Sequence, residues 1–343
     1  MTALVKRRAG LLITFAAAAL GGFPLTLAAR GGQREQAETL LARARELCDI
    51  RAKGVPPFLL KARLRLLNVP GGPLEGKYEE FRNSRGQWRR GLQFPDFKYT
   101  SVEVGDNHRM SRYASSRYAP YFAFRIEQML RPSAELRLRH REVIANFRRR
   151  KIHNRRVDCV ELKRPPDKRE VCMDAESGML VRLEERTGEF KWALEYAGET
   201  RWGGKRFPRR VREIEQGKPY IEIEIDELAG FEDPAEAWFK LPVAAEEWPT
   251  CDDPEPPEAV EHPAPRLPGS GSRRRGISGN VLTYVVVGVD GRVYNATPVR
   301  SDARLLATKT LDTVSRRWRF KPATCRGQPV PAAYFVATAF YAF

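Results

Sequence analysis

The stretch Ile221-Glu222-Ile223-Glu224-Ile225-Asp226 alternates apolar and acidic residues without a break. A period of two puts the three isoleucines on one face of a strand and the three carboxylates on the other, so this strand belongs to a sheet with one buried and one wet face. The same period runs upstream, where Phe58, Leu60, Ala62, Leu64 and Leu66 alternate with Lys61, Arg63 and Arg65, and Trp88, Leu92 and Phe94 recur at even spacing. Further strands are read at 99–104, 107–112, 179–185 and 190–196. Two segments change period. Ala37, Leu40, Leu41, Ala44, Leu47 and Cys48 recur at three- and four-residue spacing and predict an amphipathic helix over 33–52. A helical interlude, 122–131 and then 134–148, splits the strand series. Many short antiparallel strands with few helices imply one strongly curved sheet, a half-barrel, over 30–247. The expected fold class is α+β.

The chain has 343 residues, 30% charged and 42% hydrophobic, enough to bury two cores, and a formal charge of +17. Four histidines and five scattered cysteines exclude a His-rich or Cys-rich metal protein. Residues 1–29 have the order of a secretory signal: Lys6, Arg7 and Arg8, an apolar run over 11–20, then Gly21, Gly22 and Pro24, with small residues at Ala28 and Ala29. The reading is a periplasmic protein of charge +14 after cleavage. The alternative is an inner-membrane anchor through 9–29, which carries no charge and is long enough to span a bilayer.

Residues 248–276 are crowded with proline and end in Gly269-Ser270-Gly271-Ser272, the composition of a linker. Beyond it, 277–343 reads as a second, small α+β domain. Residues 281–289 are rich in β-branched side chains, Asp290-Gly291 marks a hairpin turn, and 293–299 runs back. Ser301 is placed to cap a helix whose Leu305, Leu306, Leu311 and Val314 face a sheet. Arg319 to Lys321 begins a strand, and 332–343 forms the last one.

Export permits disulfides. Strand-like runs over 157–162 and 169–174 flank a Pro165-Pro166 turn, and a register that sets Leu162 opposite Arg169 also sets Cys159 opposite Cys172. A second bridge, Cys251 to Cys325, would staple the linker to the last domain. Cys48 is left over as a buried apolar residue of the first helix.

The last domain resembles a known family. Gly279-Asn280-Val281, Val287-Gly288-Val289-Asp290-Gly291-Arg292-Val293, Val299-Arg300-Ser301, Trp318-Arg319-Phe320-Lys321-Pro322-Ala323, Gly327-Gln328-Pro329-Val330 and the aromatic end from Phe340 to Phe343 are similar in order and spacing to the TonB C-terminal domain. The resemblance implies a module that binds the periplasmic N-terminal peptide of an outer-membrane transporter by adding it as a strand. The candidate edge is Ala333, Tyr334, Phe335, Val336, Ala337, Thr338, Ala339, Phe340 and Tyr341. The larger domain more weakly resembles periplasmic lipoprotein carriers of the LolA-like class, on its helix-then-meander order, Gly203-Gly204-Lys205-Arg206-Phe207-Pro208 and Phe239-Lys240-Leu241-Pro242. That resemblance implies an apolar concavity for acyl chains, and gives the alternative function of a lipid or lipoprotein carrier docked through its last domain.

The densest positive charge includes Arg137, Arg139, Arg141, Arg148, Arg149, Arg150 and Lys151. Two readings stand: a patch for anionic envelope surfaces, or an ordinary solvated helix face. Nucleic acid is not an expected partner, since no nucleic-acid module accompanies the charge. Asp158, Glu161, Glu170 and Asp174 read as surface ion pairs with nearby Arg and Lys rather than as an acid-base pair. No nucleophile elbow, phosphate loop or dinucleotide fingerprint is present, and no enzyme activity, metal or cofactor is expected. The oligomeric state is left open.

Overall fold

The computed structural model describes residues 24–343 apart from 69–71, 105–108, 117, 166, 188–189, 233–235, 242–244, 250, 252–253, 267–277 and 341–343. The expected signal or anchor therefore lies outside the described residues up to position 23, as does Tyr341 of the candidate edge. Among the described residues no helix is long and apolar enough to cross a membrane.

Helix α1 (Pro24–Cys48) buries Ala37, Leu41, Ala44 and Cys48, one stripe at four- and three-residue steps. It stops at Cys48, four residues short of the expected end. The sheet beneath it has thirteen strands, all pairing antiparallel, built from two meanders. The first is β1 (Phe58–Leu66), β2 (Leu74–Arg82), β3 (Trp88–Gln93), β4 (Lys98–Glu103) and β5 (Arg109–Ala114). The second is β6 (Val143–Ile152), β7 (Arg155–Arg164), β8 (Asp167–Asp174), β9 (Leu180–Thr187) and β10 (Phe190–Ala197), continued, past a small two-stranded hairpin β11 (Thr200–Trp202) and β12 (Lys205–Phe207), by β13 (Arg210–Glu215) and β14 (Lys218–Ala229).

The strand that opened the sequence reading joins the two meanders. Within β14, Ile221, Ile223 and Ile225 face Leu66, Leu64 and Ala62 of β1, all six buried in the main core. On the opposite face Arg63 pairs with Glu224 and Asp226, and Arg65 with Glu222, an exposed ladder of opposite charges. The sheet is open: β15 (Glu246–Pro249), added beside β5, and β6 are its edges.

Between the meanders lie α2 (Ala119–Met129) and the single turn α3 (Pro132–Glu135). Here the sequence reading is corrected, because the helix expected over 134–148 ends at Glu135 and Val143–Ile152 is a strand. As an outermost strand β6 leaves both faces largely in solvent, so its residues are free of the alternation by which inner strands announce themselves.

The last domain has a three-stranded sheet ordered β18-β17-β22, from β17 (Gly279–Val287), β18 (Val293–Ser301) and β22 (Ala332–Phe340), with two separate two-stranded pairs, β16 (Glu258–Glu261) with β19 (Arg319–Lys321) and β20 (Ala323–Cys325) with β21 (Gln328–Val330). Helix α4 (Arg304–Arg317) lies on one face of it. Its buried stripe is Leu306, Thr310, Thr313 and Val314, while Leu305 is exposed, so the expected face was out of phase by one residue at its start. The N-cap is Ala303 with no side-chain cap; Ser301 instead donates its hydroxyl to the Ala303 carbonyl at 2.7 Å. The hairpin turn needs its glycine. Gly291 has φ +74°, its carbonyl accepts the Phe320 N–H at 2.9 Å, and a Cβ there would stand 2.0 Å from the Phe320 carbonyl oxygen.

The first half of the segment read as a linker is bound at both ends. Glu246–Pro249 pairs with Arg109 to Arg112 of β5, Glu255 bridges to Thr324, Glu258–Glu261 pairs with β19, and Trp318 Nε1 donates to the Pro263 carbonyl at 3.1 Å. Proline-rich chain supplies many carbonyl acceptors and few donors, which suits it to line existing strands as a short strap.

Candidate functional site

The candidate edge is the outer strand of its sheet. Residues 332–340 of β22 pair with 279–287 of β17 on one side, and among the described residues no strand pairs with β22 on the other. An outer strand offers alternate N–H and C=O groups sideways, the chemistry an extended guest needs. The two faces of this sheet are both occupied. Val285 and Val287 of β17 and Val336 of β22 pack with Val314, Trp318 and Phe320. Tyr284 and Val286, with Phe335 beside them, pack instead on Tyr121 and Phe124 of α2 in the larger domain. A second contact between the domains sets the Arg300 guanidinium 5.8 Å from the centre of the Phe190 ring.

The structure joins Cys159 to Cys172 across β7 and β8, in the register that pairs Leu162 with Arg169. Cys251 joins Cys325, covalently fixing the strap to the last domain. Cys48 is free and buried, and burial pushes its thiol up to about 12, so at neutral pH it is not a nucleophile. Cys159, Glu170 and Cys172 are close enough to suggest a cation site, but their two sulfurs are bonded to each other and offer no thiolate.

The seven basic residues singled out in the sequence do not share one surface. Arg139 is turned inward and pairs with Glu185 at 2.7 Å and Glu135 at 3.1 Å. Arg148 and Arg150 lie on one face of β6, both on Glu170, while Arg149 reaches Asp158 at 3.1 Å on the other. Arg137, Arg141 and Lys151 are exposed at separate points. A strand sends successive side chains to opposite faces, which divides the run Arg148 to Lys151 between the two sides of β6. Of the four acidic residues, Glu161 pairs with Lys163 and Lys168, and Asp174 accepts the Ser177 N–H at 2.7 Å in a turn. The Lys168 hydrogen bond holds the Glu161 carboxyl below its ordinary range, despite partial burial.

Sequence reading missed Arg169, which is 2% exposed and makes two 2.6 Å bonds to Glu142. It also missed Arg125, buried on Glu213 with Nε at 2.7 Å and lying 3.9 Å from the centre of the Trp192 ring. The concave face expected to hold acyl chains is covered by α1 and α2, whose apolar residues belong to the same core as those of β1 and β14. A cleft of about 900 Å³ beside β1, β2 and β14 touches Leu64, Phe94, Val211 and Ile223, but these are almost fully covered and its rim is Arg, Lys and Glu.

Comparison with curated proteins gives no match. Among solved structures, a DUF1329 family protein from Desulfovibrio piger is similar with a TM-score of 0.44 and 11% identity, over 61% of this chain and 97% of that one. A LolA superfamily protein from Nitrosomonas europaea gives 0.36 and 10%, over 60% and 97%. A protein described as an outer membrane lipoprotein-sorting protein domain, from Vibrio parahaemolyticus, gives 0.39 and 13%, over 59% and 97%. The family described as Gram-negative bacterial TonB protein C-terminal matches residues 269–341, whose described part, 278–340, contains the three-stranded sheet and helix α4.

Proposed function

We propose that the chain is a non-catalytic binding protein of the periplasm whose last domain takes up an extended peptide along the outer side of β22, the peptide being the N-terminal segment of an outer-membrane transporter. The observation that carries this reading is the TonB-type match over 269–341 combined with β22 as an outer strand. The two disulfides suit an oxidising compartment. Main-chain pairing supplies most of the affinity in such a mode, and side-chain pockets the selectivity. Amide NMR of the full chain titrated with transporter-derived N-terminal peptides tests it. Shifts concentrated in 332–340 support strand addition. Unchanged spectra at about millimolar peptide, a concentration where even a weak contact of about 4 kcal/mol would register, reject it.

A further inference from the structure

A cleft of about 620 Å³ runs between the domains, walled by β2 to β5 and α2 on one side and by Tyr284, Val286, Ala332 and Ala333 on the other. Its floor is rich in arginine. Arg51 pairs with Glu80 through Nε at 2.7 Å and donates Nη1 to the Leu130 carbonyl at 2.8 Å. Arg90 pairs with Glu127 at 3.0 Å and lies 3.8 Å from the centre of the Trp88 ring. Glu80 is 1% exposed and also accepts the Tyr78 hydroxyl at 3.0 Å. Burial alone would raise its carboxyl, but Arg51 and Arg90 outweigh that and hold it well below the ordinary range. Glu80 and Glu127 thus already have their cations, and Glu103 also lines the cleft.

Arg131, just past the end of α2, differs from these. It lines this cleft and an adjoining one of about 820 Å³ bordered by Arg45, Lys53 and Arg137. Its main chain is bonded, N–H to Gln128 at 3.2 Å and carbonyl from Ala134 at 2.9 Å. Its half-buried side chain has no hydrogen bond or ion pair among the described residues. Burial, then repulsion from Arg90 and Arg51, outweighs the attraction of Glu127 and Glu80 and lowers its proton affinity. A guanidinium carries five donors, and leaving it covered beside two like charges, with no acceptor for its side chain among the described residues, costs stability. Half-buried apolar groups, Met110, Phe124, Pro331 and Ala333, line the same cleft.

We propose that this interdomain cleft binds an oxyanion, phosphate or carboxylate, attached to an apolar group, with Arg131 receiving the oxyanion and Met110, Phe124, Pro331 and Ala333 receiving the apolar part. A planar fork of N–H groups suits either headgroup. Because both domains form the walls, the ligand bridges them. The proposal rests on Arg131 and the cleft walls rather than on strand addition, though Ala333 belongs to β22 as well.

The experiment is calorimetric titration of the full chain with dodecyl phosphate and with dodecanoate, below their micellar concentrations, and with inorganic phosphate as a headgroup alone. Saturable binding of at least one amphiphile is expected, and which one binds separates the phosphate source from the carboxylate. Arg131→Gln should weaken it by about tenfold or more, with Arg131→Lys between parent and Arg131→Gln, and Lys98→Gln, which lines the separate cleft of about 900 Å³ beside β1, β2 and β14, should leave it unchanged. Arg131→Gln should keep or raise the Tm, since no ion pair among the described residues is lost. Failure of both amphiphiles to bind, or equal binding by Arg131→Gln, overturns the proposal. Inorganic phosphate binding as tightly as dodecyl phosphate overturns its apolar half.

Discussion

The ring of Tyr284 meets that of Tyr121 edge-on, centroids 5.6 Å apart and planes at 60°, and this contact closes the face of the small sheet that α4 does not cover. A sheet face needs a cover to exclude water, and here the cover is a helix of the other domain. Tyr121→Ala should cost about 3 kcal/mol, the usual loss for a large buried aromatic. It should also split one calorimetric transition into two, as each domain begins to unfold by itself. A single transition at the parental Tm would show that the domains are not coupled through this pair.

Glu215 sits at the same boundary. Burial, then the neighbouring Glu213, pushes its carboxyl up to about 7 against the pull of Arg125 and Arg300. The folded form therefore holds the proton more tightly than the unfolded chain, whose carboxyl has the ordinary value of 4.5. This contribution is fully present below about pH 4.5 and is lost as pH rises through about 7. Urea midpoints at about pH 5 and about pH 8 should fall with rising pH for the parent, and Glu215→Gln should flatten that difference. An undiminished slope in the variant would assign the effect to another group.

The two disulfides close loops of very different length, with sequence separations of 13 and 74. On chain entropy alone the shorter contributes about 3 kcal/mol and the longer about 4 kcal/mol. Replacing Cys251 and Cys325 together by serine should thus lower stability, and should also expose the strap at 255–263 to protease while the Cys159–Cys172 hairpin stays resistant. Cleavage of the strap no faster than in the parent would mean that it is held without its covalent bond.

Neighbouring residues of a strand send their N–H groups to opposite sides. Of Ala337→Pro and Thr338→Pro, one should remove a bond to β17 and lower the Tm, and the other should spare the fold yet abolish peptide uptake. Thermal melts and the peptide titration together decide this. Two variants that both bind peptide normally would remove β22 from the binding role.

What was legible in the sequence was whatever a strand or helix reports about its own two faces. Ile221, Ile223 and Ile225 declared the buried side of β14, and the Cys159–Cys172 register followed from a short hairpin whose turn left little freedom. Features fixed by a distant partner were not legible. Val143–Ile152 is a strand only because β7 lies beside it, and the proline-rich strap lies where β5, β19 and Cys325 hold it. Arg131 and Arg169 were hidden for a different reason. In a chain with 60 Lys and Arg, nothing local separates a covered guanidinium from a solvated one.

The strap gives the molecule a defined route for mechanical load. Tension applied to a guest lying along β22 would act in shear on its nine register pairs with β17, the geometry in which hydrogen bonds resist together rather than one after another. From there the route out of the small domain includes the Cys251–Cys325 bond, and it arrives at the margin of the large sheet through Glu246–Pro249. A pull would thus be shared between two paths, the strap that ends on β5 and the contact of Phe335 in β22 itself with Phe124 of α2.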